Sequence, residues 1–86
     1  MFEAVQFIEL RGVFEPGEVV LGEFPDEVSA VEAARDARRA FMENGSADYA
    51  WWIVRRKGAR LAEFIADSRS EKEFVLDLTS GQLLEV

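Results

Sequence analysis

The stretch YAWWIVRRKG, residues 49–58, combines aromatic and β-branched residues with a basic run before a glycine. This composition predicts a β-strand that turns at Lys57-Gly58. Successive side chains of a strand point to opposite faces of its sheet, so Trp51 and Trp52 must lie on different faces. One indole can pack beneath a helix. The second indole must then lie on the opposite face of the sheet, and what covers it there is a clue to function.

The rest of the chain after this strand reads as a series of strands and short turns. Lys57-Gly58 and Ser80-Gly81 suit two-residue hairpin loops, and Arg69-Ser70-Glu71 suits a three-residue loop. Pairing strands through these loops places position 53 opposite 62 and position 66 opposite 74. One sheet face then carries only apolar and aromatic side chains, and we expect it to lie under the helix. Its members are Tyr49, Trp51, Ile53, Ala62, Phe64, Ala66, Phe74, Leu76 and Leu78.

The same register makes the opposite sheet face partly apolar as well. A sheet surface that faces solvent normally alternates to polar residues, so this second face is predicted to be a contact surface. The predicted interface residues are Trp52, Val54, Leu61, Ile65 and Val75, with the carboxylates Glu63 and Asp77 facing each other among them.

Upstream of residue 49 the pattern predicts a hairpin and one helix. Residues 2–10 and 18–24 read as strands joined through a type II turn at Pro16-Gly17. A helix is expected over residues 28–44, with alanines on its apolar stripe and Gly45 after its end. Its start fits a capping box of Ser29 and Glu32, with Asp26 as a rival cap one turn earlier. The expected fold is therefore α+β, an antiparallel sheet in the order β-β-α-β-β-β-β with one amphipathic helix on one face.

Composition limits the classes of function. The 86 residues predict one domain, 1–86, and the net charge of −7 opposes long-range attraction to polyanions. The longest apolar run, Tyr49–Val54, is far shorter than the roughly 20 residues of a membrane span. The acidic start of the sequence does not resemble a signal peptide. We expect a cytoplasmic protein without membrane contact.

Catalysis and cofactor binding are not expected. The sequence has no histidine and no cysteine, which removes the usual general base and the commonest metal ligands. Its six glycines are isolated rather than grouped in a phosphate-binding loop. Glu63 and Asp77 could hold a hard cation if they face each other, but the neighbouring positions supply no further oxygen ligands. We therefore predict a non-enzyme with no catalytic residue, cofactor or metal.

Three arrangements could cover the second apolar face. The N-terminal hairpin could fold over it, a second copy could pack against it in a two-fold dimer, or an unidentified protein partner could bind there. A homodimer is the preferred prediction, because a small domain gains core by self-association. An alternative from another class is a nucleic-acid site formed by the tryptophans with Arg55, Arg56, Lys57 and Arg60. The net charge disfavours binding of nucleic acid. The competing interpretation of the basic run is a solvated hairpin tip whose cations pair with the chain's own carboxylates.

Overall fold

A computed structural model describes residues 1–10, 12, 14–45 and 48–86. These residues form a single antiparallel sheet with the strand order β2-β1-β3-β4-β5-β6 and one helix. The predicted α+β class and the order β-β-α-β-β-β-β are confirmed. The elements are β1 Phe2–Glu9, β2 Gly17–Phe24, α1 Glu27–Glu43, β3 Tyr49–Arg56, β4 Ala62–Asp67, β5 Glu73–Leu76 and β6 Leu83–Glu85.

Helix α1 lies within one residue of its predicted bounds at each end. Its cap is Asp26, whose carboxylate accepts a hydrogen bond from the Ser29 backbone N–H at 2.8 Å. The rival cap is therefore the one used, and the predicted Ser29 capping box is wrong. Gly45 follows the helix with φ of +67°, the left-handed conformation that glycine adopts without steric cost.

The N-terminal hairpin extends the sheet and does not cover its second face. Strand β1 pairs with β3 along its whole length, for example Phe7 with Trp51. The predicted turn at Pro16-Gly17 is wrong, because Gly17 begins β2 opposite Ile8 and lacks a positive φ. Parts of the β1–β2 connection, residues 11 and 13, lie outside the described residues. The hairpin is thereby excluded as the cover of the second face.

The connection between β3 and β4 is wider than a two-residue loop. A turn does form at Lys57-Gly58, where Gly58 has φ of +80° and the Ala59 N–H donates to the Arg56 carbonyl at 2.9 Å. A two-residue loop would pair Arg55 with Arg60. In the structure Arg55 pairs with Ala62, two residues further along the chain.

A β-bulge follows in β4, and because of it the two faces of β3 are exchanged relative to the prediction. Beyond it Val54 pairs with Phe64 and Ile53 with Ile65, so the register differs from the predicted one by an odd number of residues. A slip by an odd number exchanges the two faces of a strand. The predicted register is therefore wrong, and it is the Trp52 side of β3 that lies beneath α1.

The core sits between α1 and this side of the sheet, which we call the inner face. Small side chains on both layers let the helix approach the sheet closely, and Trp52 and Phe64 fill the remaining space. Phe41 of α1 meets the Trp52 ring edge-on, with ring centroids 5.4 Å apart. The buried cluster comprises Ala4, Ala30, Ala34, Ala50, Trp52, Val54, Phe64 and Ala66.

The register of β5 also differs from the predicted one. The β4–β5 loop is shaped by Asp67, whose carboxylate accepts the backbone N–H groups of Arg69 and Ser70. Arg38 of α1 donates to the carbonyls of Asp67 and Ser70, at 2.7 Å each, and ties the loop to the helix. The resulting loop is longer than predicted, and Val75 pairs with Phe64 on the inner face.

Candidate functional site

The sheet face opposite α1 is lined by aromatic and aliphatic side chains, and we call it the outer face. Cross-strand pairing assigns its central members, which are Val5, Phe7, Tyr49, Trp51, Ile53, Ile65, Phe74 and Leu76. Only Val5 of this set is fully buried, and the others are intermediate in exposure. The outer face therefore presents a broad apolar surface that no described segment of the chain covers.

Three aromatic rings form a row across β1 and β3 on the outer face. Phe7 and Trp51 are stacked, with ring centroids 5.2 Å apart and an interplanar angle of 11°. Tyr49 meets Trp51 edge-on at 5.6 Å. Cross-strand aromatic pairs of this kind hold the rings in fixed orientations, so Trp51 is pre-ordered although it is partly exposed.

Tyr49 and Asp67 form a polar end to this row. The Tyr49 hydroxyl donates to the Asp67 carboxylate at 3.1 Å, and the Arg69 guanidinium lies 4.6 Å from the centre of the Tyr49 ring. Burial, followed by the bond to Asp67, raises the pKa of Tyr49 above its ordinary value. With Trp51, Ile53 and Ile65 the pair borders an open groove of about 340 Å³.

A network of ion pairs borders the outer face at its other end. Arg55 on β3 reaches Glu3 at 3.3 Å and Glu18 on β2 at 3.1 Å. Since β1 lies between β2 and β3, the Arg55–Glu18 pair spans β1. Lys57 reaches Glu23 at 3.0 Å in the same region. The outer face is thus apolar at its centre and charged at its margin.

Most of the predicted interface residues lie elsewhere. Trp52 and Val54 are fully buried beneath α1, and the Trp52 indole N–H donates to the Gln6 side-chain oxygen at 2.8 Å. Val75 lies on the inner face of β5, and Leu61 is exposed in the β3–β4 loop. These placements follow from the register change.

Ile65 is the predicted interface residue that does lie on the outer face. It pairs with Ile53 on β3 and with Phe74 on β5, so it joins the aromatic row to the far half of the sheet.

Glu63 and Asp77 do not face each other. Glu63 lies at the bulge, where it is only 8% exposed and accepts a hydrogen bond from Arg56 at 2.8 Å. Asp77 shapes the β5–β6 turn, and hydrogen bonds from the Thr79 N–H and the Ser80 hydroxyl hold its pKa below its ordinary value. Both carboxylates have structural partners. Among the described residues no group of acidic side chains is arranged to hold a metal ion.

The cations of the alternative nucleic-acid site are mostly paired with the chain's own carboxylates. Arg55 binds Glu3 and Glu18, while Arg56 and Lys57 each bind one acid. Arg60 is exposed, and it makes no ion pair with any part of the chain that the structure describes. In the described residues, most cations of the basic run are thus paired with carboxylates of the same chain, and they form no row of unpaired cations beside an exposed ring.

Sequence reasoning missed every central residue of the outer face except Ile65. The missed residues are Val5, Phe7, Tyr49, Trp51, Ile53, Phe74 and Leu76. One signal could have identified those on β3. Ala50 and Ala66 are small, and an alanine-rich helix packs closely against small side chains on a sheet. Placing Ala50 and Ala66 together beneath the helix also places Trp52 there and sends Trp51 outward.

Comparison with protein-family profiles, with curated proteins and with solved structures gave no match. No helix in the described ranges is long and apolar enough to cross a membrane.

Proposed function

We propose that the chain is a non-enzymatic protein–protein interaction module that pairs with a second copy through the outer face of its sheet. The observation that carries this proposal is the aromatic row of Phe7, Trp51 and Tyr49 on a surface that the described chain leaves open. The dimer is the one predicted from sequence, with a corrected set of contact residues.

The chemistry of the outer face supports a contact role. In a sheet with one covered face, the other face normally alternates to polar side chains. Here the central alternate positions of β3 and β4 are Trp51, Ile53 and Ile65, and the charged residues Arg55 and Asp67 lie only toward the strand ends. Tryptophan is enriched at the centre of interfaces, where a large rigid ring buries much area at low conformational cost.

The size of the outer face supports a second copy as the occupant. Six strands about 4.8 Å apart and up to eight residues long outline a face on the order of 600 Å² before side chains are counted. A standard interface buries about 800 Å² per partner. Two such faces can pack as the layers of a sandwich, and two-fold dimers are the commonest oligomers.

Light scattering coupled to size exclusion tests the proposal. The wild-type chain should elute with twice its 9.7 kDa mass at micromolar concentration. Trp51→Glu buries a charge in the contact and should weaken the dimer about 30-fold or more, which corresponds to about 2 kcal/mol. The matched control is Val28→Glu, which introduces the same charge at a 68% exposed apolar side chain on α1.

Two results would count against the dimer. One is a wild-type species of 9.7 kDa at all accessible concentrations. The other is a dimer that Trp51→Glu leaves intact while the circular dichroism spectrum stays native. The cytoplasmic location expected from composition stays a prediction, which cell fractionation can check.

A further inference from the structure

Strand β2 is a long open edge of the sheet. It has eight residues, and β1 is its only neighbour in the described part of the chain. The opposite edge, β6, has three. Three consecutive aliphatic residues of β2, Val19, Val20 and Leu21, are 50%, 51% and 36% exposed. An edge of this kind carries backbone N–H and C=O groups that can pair with another extended chain.

The surroundings of β2 are strongly acidic. Residues 14–27 contain five carboxylates and no basic residue. Two of the five, Glu18 and Glu23, project from β2 itself and are held by Arg55 on β3 and by Lys57 in the turn after β3. Their side chains remain 47% and 41% exposed, so they are fixed in place but still accessible from the edge.

A second copy of β2 is a poor occupant of this edge. Two-fold antiparallel pairing of β2 with itself around Val20 and Leu21 sets Glu18 of one copy opposite Glu23 of the other. Like charges directly opposite each other destabilise a strand pair. The same two carboxylates each have one ion-pair partner in the described part of the chain and stay partly exposed, so their free oxygen positions favour a segment that brings further cations there.

We propose that the β2 edge binds an extended, basic segment of a partner protein by strand addition. Backbone hydrogen bonds to β2 supply the pairing, while lysine or arginine side chains meet Glu18 and Glu23. Aliphatic side chains between the cations pack beside Val19. The bulge at Leu21 limits regular pairing to Gly17–Val20 on one side and Gly22–Phe24 on the other.

The experiment uses the full chain with Trp51→Glu, so that its outcome does not depend on dimerisation through the outer face. The probe is a capped hexapeptide of alternating lysine and valine, titrated at low ionic strength. Amide hydrogen exchange, read by NMR, should slow in β2 on saturation, and the affinity should fall several-fold as salt is raised. A hexapeptide of alternating glutamate and valine should not bind.

Variants locate the site. Glu18→Gln combined with Glu23→Gln should weaken the basic peptide several-fold, and so should Val19→Lys. Leu78→Lys introduces the same cation at an exposed apolar side chain between β5 and β6, at the opposite edge of the sheet, and should leave the affinity unchanged. The proposal is overturned if the peptide does not saturate, if the acidic peptide binds equally, or if protection appears outside β2.

Discussion

Trp52 is held by two specific contacts, and it is the largest fully buried side chain of the core between α1 and the sheet. Its indole N–H donates to Gln6, and its ring meets the edge of Phe41. The adjacent Trp51 is stacked on Phe7 and remains partly exposed. The two tryptophans therefore differ in what they contribute to folding, and the difference can be measured.

Trp52→Phe should lower the free energy of unfolding by on the order of 2 kcal/mol. The phenylalanine ring leaves the Gln6 oxygen without its donor and leaves a small cavity. Trp51→Phe should cost less than about 1 kcal/mol in the monomer, because a phenylalanine can still stack on Phe7 and the site is partly open. Urea denaturation of both variants, at protein concentrations low enough that light scattering shows a monomer, checks this. Equal losses would contradict the assignment of faces.

Asp77 provides a pH-dependent contribution to stability. Its folded-state pKa is lowered by the Thr79 N–H and the Ser80 hydroxyl, so its contribution is present above the unfolded-state pKa and is lost as pH falls through the folded-state value. Asp77→Asn should therefore be less stable than the wild type near neutral pH. The difference should shrink as pH falls through the folded-state pKa of Asp77. Denaturation curves across this range measure it, and a pH-independent difference would contradict the role of the carboxylate.

At the scale of elements, the start of α1 is set by a single side chain. Asp26 accepts the Ser29 N–H, while the Ser29 hydroxyl takes no part in the cap. Asp26→Ala should lower the free energy of unfolding by about 1 kcal/mol, the usual cost of a lost N-cap. Ser29→Ala should stay within about 0.5 kcal/mol of the wild type. Thermal or urea unfolding distinguishes the two, and the reverse order would restore the capping box.

The sequence was sufficient for the elements but not for the register between them. The helix and the strands follow from periodicity, caps and turn residues, which are local. The bulge at Glu63 is not local in this sense, because it is a feature of the pairing between β3 and β4, where Glu63 accepts a hydrogen bond from Arg56 seven residues earlier. The β4–β5 loop likewise depends on Arg38, which reaches it from α1.

The bulge at Glu63 and the longer β4–β5 loop are the reason that only part of the candidate site could be predicted. Adjacent tryptophans on opposite faces, and an apolar second face, follow from strand geometry alone. Which tryptophan faces outward depends on the bulge, and so Trp52 and Val54 were assigned to the wrong face. Ile65 was assigned to the correct face because its neighbours Phe64 and Ala66 lie beneath α1, as the sequence predicted.

For the whole molecule, charge sets the conditions under which two copies can meet. Each chain carries a net charge of −7, and several carboxylates lie at the margin of the outer face, including Glu3 and Glu18. Repulsion between two such chains is screened by salt, while the apolar contact is not weakened by it. Raising ionic strength should therefore strengthen the dimer. Sedimentation equilibrium at low and high salt checks this, and a dimer that dissociates with salt would indicate an ionic interface instead.

The most direct test of the proposed pairing is an isotope-filtered NOE experiment on an equal mixture of labelled and unlabelled chains. We expect contacts between copies at the rings of Phe7 and Trp51 and at the methyl groups of Ile53 and Ile65. Trp52 should show contacts only within its own chain. Contacts between copies that are confined to β2, or that involve Trp52, would contradict pairing through the outer face.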